Sequence, residues 1–306
     1  MKHIRFILLL MTVSGTLLTM KNISQTLNDY LLEAGENHPG IQAAYQEYYA
    51  ALEKVKQAGT LPDPKVSFGY FISPVETRLG PQQLKVSLSQ MFPWFGTLKE
   101  KEQAAAERAK MKYEEFRKLK NQVYKQVKTQ WYELYKTKQA LDITKKNMEV
   151  LRSLQNLSRR NYETDKSNMS DVLRINVNLR EQKNRMSNLK DQYDRQQTEF
   201  NLLLNREADR SLNSPDTLQI QSFDIVSYRD SVKKHPDMNK LKHKQKALEH
   251  QYELARKKGY PDFSVALDYA VIGRRTDMAV ASNGRDVIMP MAGISIPLYR
   301  KKYDAM

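Results

Sequence analysis

The sequence predicts a mainly α protein with a β-barrel portion. A long antiparallel coiled-coil α-hairpin is joined to two β-hairpins that supply four strands, in two structural repeats of which the second lacks its helical hairpin. Three observations carry this prediction: strand pairs that recur far apart in the chain, two helical stretches with coiled-coil spacing, and strand segments that alternate apolar and polar residues.

The repeat comes first, because a missed period mis-assigns a whole fold. Asn37-His38-Pro39 opens an amphipathic stretch that runs to Gly59, followed by Leu61-Pro62-Asp63-Pro64 and the alternating segment Val66 to Tyr70. Lys234-His235-Pro236 opens a similar stretch to Gly259, followed by Tyr260-Pro261-Asp262 and the segment Phe263 to Tyr269. A second strand follows in each half, Leu84 to Gln90 leading to Pro93 and Ala292 to Ile296 leading to Pro297. His38 and His235 lie 197 residues apart, Pro93 and Pro297 204 apart.

Between Gly96 and Asp165 there is no Pro or Gly, and Tyr113, Phe116, Val123, Val127, Leu134, Leu141, Met148, Leu151 and Tyr162 recur at helical spacing. A helix of that length would run on the order of 100 Å at about 1.5 Å per residue. After a polar break, a second helix repeats Val172, Leu179, Met186, Tyr193 and Phe200 at one position, and Ile175, Gln182, Leu189, Gln196 and Leu203 at another. A strict seven-residue period implies a left-handed supercoil. The two helices are therefore expected to form an antiparallel hairpin with Asp165, Lys166, Ser167, Asn168, Met169 and Ser170 at its tip.

The strand segments are two-faced. Val66, Phe68 and Tyr70, and again Phe263, Val265, Leu267 and Tyr269, share the apolar parity, while Ser264, Ala266, Asp268 and Ala270 take the other. Membrane strands alternate in this way, lipid outward and water inward, so those seven residues are expected to face lipid and Asp268 the lumen. Four strands cannot close a barrel, since the smallest single-chain ones use about eight; closure would need several copies. Trp94 and Tyr70 are candidate anchors at the membrane interface, where amphipathic rings settle.

Composition fits this. Of 306 residues 40% are hydrophobic and 28% charged, and mean hydropathy is −0.69; no internal run reaches the roughly 18 apolar residues of a spanning helix. Lys2 and Arg5 precede the apolar run Phe6 to Met11, the layout of a signal peptide over residues 1–20. Cysteine is absent, which excludes disulfides, thiolate metal sites and a lipidated cysteine. The net charge of +15 would suit a nucleic-acid binder, but Lys and Arg alternate with Glu and Asp along the helices and no recognition motif accompanies them; no nucleic-acid partner is expected.

No catalytic, cofactor-binding or metal-binding constellation is expected. There is no phosphate-binding loop or nucleophile elbow. His243 and His250, seven apart on one helix, read as a solvated surface. The thirteen methionines read as gap-fillers in helical seams.

The chain resembles the TolC-like outer-membrane efflux proteins, the outer-membrane factors of tripartite efflux systems. The resemblance lies in the His38-Pro39 helix, Pro62-Asp63-Pro64 before the first strand, Ser89 to Gly96 (with Pro93, Trp94 and Gly96) at the strand-to-helix junction, Tyr162 to Leu173 around the tip, and Gly293 to Tyr299. It implies a homotrimer with a twelve-stranded barrel in outer-membrane lipid and a periplasmic tunnel of helices. It also implies a periplasmic adaptor docked on the tips and an inner-membrane pump that supplies the energy. The junction looks most like members that serve heavy-metal pumps. Asp165 stands where the family usually has Gly.

The expected organisation is a signal peptide (1–20), N-terminal helices (21–61), a first β-hairpin (62–93), the long helical hairpin (94–206), a linker with the helix opening the second repeat (207–260), a second β-hairpin (261–298) and the start of a truncated second helical hairpin (299–306). The repeat offset places the end of that hairpin roughly 100 residues beyond Met306, so a C-terminal truncation is expected; the resemblance implies that the missing hairpin supplies the inner helices constricting the periplasmic entrance. The rival reading is a soluble periplasmic coiled-coil adaptor or scaffold, whose kind lacks a duplicated strand pair around the long helices.

Overall fold

The computed structural model describes residues 26–212, 231–232 and 234–298. The expected signal peptide, most of the linker after residue 212 and residues 299–306 lie outside the described residues. The elements are α1 (Leu27–Asn37), α2 (Pro39–Ala58), β1 (Lys65–Thr77), β2 (Gly80–Phe92), α3 (Thr97–Glu163), α4 (Met169–Leu203), α5 (Pro236–Lys257), β3 (Asp262–Ile272) and β4 (Val287–Ser295). The fold is mainly helical with one four-stranded antiparallel sheet, as the periodicities predict. Two compact units divide it, one from the described residues of Met1–Pro39 and Asn121–Ser222, the other from those of Gly40–Lys120 and Phe223–Met306.

In the first unit, α1 starts at a capping box. Thr26 accepts from the Asp29 backbone N–H at 3.4 Å, and the Asp29 carboxylate accepts from the Thr26 N–H at 2.7 Å, which satisfies two donors that a helix start leaves orphaned. The distal part of α3 and the whole of α4 form the coiled coil. From Val123 to Ser158 the less exposed positions of α3 step by four and three without a break, and the α4 seam runs from Val172 to Leu203. Thr137, Thr144 and Ser158 are buried in the α3 seam beside Leu134 and Met148; small polar side chains let the helices approach where a hydrophobicity count sees gaps. Tyr113 and Tyr162, read from sequence as part of the stripe, keep the four-three step but lie outside the stretch from Val123 to Ser158 and are 41% and 45% exposed; Tyr113 packs on Tyr48 instead. Gln155 bonds Asn176, and Gln130 donates to Glu199 at 3.4 Å, which fixes the antiparallel pairing.

One end of the hairpin closes on an aromatic core. Tyr30 and Phe200 are fully buried and Trp131 nearly so, with ring centroids 5.1 to 5.9 Å apart. Arg206 lies 5.1 Å over the Tyr30 ring, donates to Asn201 at 2.7 Å and pairs with Glu33 at 3.3 Å. Burying that guanidinium is tolerable because its charge is paired and its flat face is covered by rings.

In the second unit the sheet order is β1-β2-β3-β4, so the two hairpins lie side by side and β2 of the first repeat pairs with β3 of the second. Gly80, at φ 130°, marks where the hairpin ends meet: a Cβ there would sit 1.9 Å from the Gly273 carbonyl oxygen. The long β3–β4 connection is tied down by reciprocal bonds of 2.9 Å between Arg275 and Asn283. Arg275 also hydrogen-bonds Asp277, holding its carboxyl down to about 2. On the helical side, α2 packs against α3 through Tyr48 on Tyr113 and Tyr45 on Phe116, at 5.2 and 5.5 Å.

Candidate functional site

The ladder register sorts the sheet into two faces. Val66 pairs Leu88, which pairs Leu267, which pairs Pro290; Phe68, Val86, Tyr269 and Ile288 form the next row. Phe92, Phe263 and Ile294 lie in register on the same face. The seven residues read from sequence as lipid-facing all fall on it. They are exposed, from Phe263 at 37% to Tyr70 at 75%. In the regular rows from Lys65–Ser89 to Tyr70–Leu84 and across to β4, no charged residue falls on this face.

The opposite face carries Lys65, Ser67, Lys85, Ser87, Ser89, Ser264 and Asp268, together with Met91, Met289 and Met291. These three methionines are not seam fillers in helices, as the sequence reading had the Met residues; they sit on the polar side of strands. Asp268 is only 2% exposed. It accepts from Ser87 and pairs with Lys85 at 2.5 Å, so this carboxylate is spent on joining β2 to β3. Its partner Lys85 keeps 38% of its side chain in the open.

β1 pairs only with β2 and β4 only with β3 among the described residues, so both sheet edges are open. An apolar face left uncovered, with two rows of unpaired backbone groups, is an unfinished structure in water. No described helix is long and apolar enough to cross a membrane.

The strand-to-helix junction is an aromatic knot. Trp94 is half-buried, stacks with Tyr260 at 5.2 Å and 18° and with Phe263 at 5.8 Å and 20°, and donates its backbone N–H to Asp262 at 3.2 Å. The junction of the first repeat is thus fastened to the strand start of the second. Gly96, at φ 79°, lets α3 begin: a Cβ would lie 2.7 Å from the Lys257 ammonium. Pro93 ends β2 beside this turn. Tyr260 and Asp262 were not singled out from sequence, although the shared Pro-Asp dipeptides of the two repeats pointed at that spot.

At the hairpin tip, Asp165 has φ 53°. The Lys166 N–H reaches the Asn161 carbonyl at 2.8 Å and the Asp165 N–H reaches that of Tyr162 at 3.1 Å, a Schellman closure in which the left-handed residue is usually Gly. Lys166, Asn168, Met169 and Ser170 are exposed and Ser167 is half-buried. Asn168 precedes α4 in an extended conformation without a side-chain cap bond.

His243 and His250 are not a solvated surface. Their rings meet Glu107 and Glu100 of α3 at 2.7 and 2.9 Å; the sequence reading failed because the partners lie on a helix about 140 residues earlier in the chain. Among the described residues no three His, Cys, Asp or Glu side chains converge as metal ligands.

A long helical hairpin together with a two-faced, open-edged antiparallel sheet points to the class of outer-membrane channel proteins. The family profile described as outer membrane efflux protein matches residues 31–206, more than half of the 306, and the chain belongs to that family. It is a protein of the cell outer membrane that extends into the periplasm, in a family of efflux channels rather than a class of enzymes. Curated protein sequences give no match.

Among solved structures, the chain is similar to the outer membrane protein VceC of Vibrio cholerae, at 15% identity over 91% of this chain and 72% of that one, TM-score 0.67. It is similar to the CmeC outer membrane channel of Campylobacter jejuni, at 12% over 94% and 69%, TM-score 0.69. To the open state of the MtrE outer membrane channel of Neisseria gonorrhoeae the figures are 12%, 91%, 65% and 0.65. At these identities the likeness concerns the fold, and the chain spans 65 to 72% of the length of these three.

Proposed function

We propose that this chain is the outer-membrane channel of a tripartite efflux system, which conducts passively what an inner-membrane pump exports and performs no catalysis. Three copies each give four strands to a twelve-stranded barrel, and their helices form the periplasmic tunnel. Val66, Phe68, Tyr70, Phe263, Val265, Leu267 and Tyr269 face lipid, and the Lys85–Asp268 pair lines the water-filled interior. A periplasmic adaptor docks at Asp165 to Ser170. The resemblance of the Ser89 to Gly96 junction favours heavy-metal ions as cargo.

One observation carries this reading: the register gathers the aromatic and branched residues of four strands on one exposed face while both sheet edges stay open. Closed barrels are the only sheets that hydrocarbon tolerates, since every backbone group must be paired there, and three open sheets joined edge to edge meet that demand. Protein expressed with the expected leader should enter the outer-membrane fraction, require detergent, and show three times the mass of the leader-free chain once detergent is subtracted. A monomer from the aqueous fraction, stable without detergent, would overturn the reading.

A further inference from the structure

The contact between α3 and α5 is built differently from the rest of the helical part. Along the hairpin seam of α3 and α4, no position on either four-three stripe is charged. Where α3 meets α5, the layers alternate between alanine and ions. Ala104 and Ala247 are each 3% exposed. On one side of them His243 Nδ1 lies 2.7 Å from Glu107 Oε2; on the other His250 Nδ1 lies 2.9 Å from Glu100 Oε2. Lys257 reaches Glu100 at 2.9 Å, Lys240 reaches Glu115 at 2.7 Å and Lys118 reaches Asp237 at 3.0 Å.

Four of these five ion pairs run through glutamates of α3. Within Thr97 to Lys120, α3 has eight Lys and Arg against five Glu; α5 has six Lys and Arg and two His against three acids. Both surfaces are net basic, so neutralising the seam carboxylates leaves positive charge facing positive charge. The groups around them make this worse. Glu107 also holds Lys110 at 2.6 Å, and Glu115 shares Lys112 with Glu47 of α2.

We propose that the α3–α5 seam is a proton-operated latch: acidification neutralises Glu100 and Glu107, and α5 separates from α3 while the α3–α4 hairpin stays closed.

The direction is fixed by the carboxylates. Hydrogen bonds from Lys257 and then His250 hold the Glu100 carboxyl below its ordinary 4.5. Burial pushes Glu107 up, but hydrogen bonds from Lys110 and His243 outweigh it, and it too lies below 4.5. A carboxyl lowered by folding contributes stability that is fully present above its unfolded value and disappears as pH falls through the folded one. The latch therefore holds at neutral pH and releases below about pH 4.5. The proposal does not depend on the channel reading.

The chain has no cysteine, so paired spin labels go only where they are placed. Lys101→Cys with Glu249→Cys spans the latch from two exposed positions, and Arg152→Cys with Arg180→Cys spans the hairpin as reference. In the full-length protein, the short latch distance should lose most of its population between about pH 7.5 and pH 3.5, as carboxyls lowered by folding take up protons, while the hairpin distance holds. Glu100→Gln with Glu107→Gln should open the latch at neutral pH. Glu107→Leu with His243→Leu should weaken the acid response. A latch distance unchanged down to pH 3.5, a Gln variant as closed as wild type, or loss of both distances at one pH would each overturn the proposal.

Discussion

Lys85 and Asp268 face each other at 2.5 Å across the boundary between the two repeats, the acid almost fully covered and the base reaching outward. Because β2 and β3 belong to different hairpins, this pair and the Ser87 bond beside it tie the first repeat to the second on the polar face.

The asymmetry of exposure makes the two single substitutions unequal. Lys85→Gln leaves a covered carboxylate with Ser87 as its remaining partner, whereas Asp268→Asn leaves an ammonium that can extend into water. Removing the partner of a covered charge is the costlier change. Thermal unfolding of the detergent-solubilised protein should show Lys85→Gln with the lower midpoint; equal midpoints, or the reverse order, would show that Asp268 is already solvated.

The aromatic core of the first unit should be the most sensitive site of the hairpin. Phe200 is fully buried against Tyr30 and Trp131, and truncating a buried Phe costs about 3–5 kcal/mol. Phe200→Ala should lower the denaturation midpoint accordingly, and Phe200→Leu by less. Arg206→Lys should also destabilise, because an ammonium cannot lie flat over the Tyr30 ring while bonding Asn201 and Glu33.

At the tip, the positive φ of Asp165 sets the tolerance. Asp165→Val should lose about 1–2 kcal/mol, the cost of a left-handed conformation for a β-branched residue. Asp165→Gly should stay within about 1 kcal/mol of wild type, since relief of backbone strain is offset by the greater freedom of glycine in the unfolded chain. Denaturant titration of both variants checks the order.

Much of this fold was legible because its spacing is regular. Alternation at period two marked β1 and β3, and the seven-residue step from Val172 to Phe200 marked the α4 seam. Both signals come from apolar residues on one face, which a single sequence displays directly. The α3–α5 seam was invisible to the same reading: its inward positions are Glu100, Glu107, His243 and His250, residue types that ordinarily mark a solvated face, and they make sense only as matched pairs. Thr137, Thr144 and Ser158 escaped for a related reason, being small enough to be buried without being hydrophobic. The pairing of Lys85 with Asp268 depends on the register between two hairpins, and nothing local encodes it. Trp94 was noticed as a ring suited to an interface, but its stacking on Tyr260 required the second repeat to be laid against the first.

In the proposed channel, water touches one face of this sheet and lipid the other. Absence of native cysteine permits a direct measurement: single cysteines at residues 264 to 267, 270 and 271, introduced one at a time into protein reconstituted in liposomes and exposed to a charged maleimide. Ser264, Ala266 and Ala270 should label, while Val265, Leu267 and Val271 should resist it and react with a lipid-soluble reagent instead. Equal labelling of both sets, or the opposite alternation, would rule out this arrangement of the two faces.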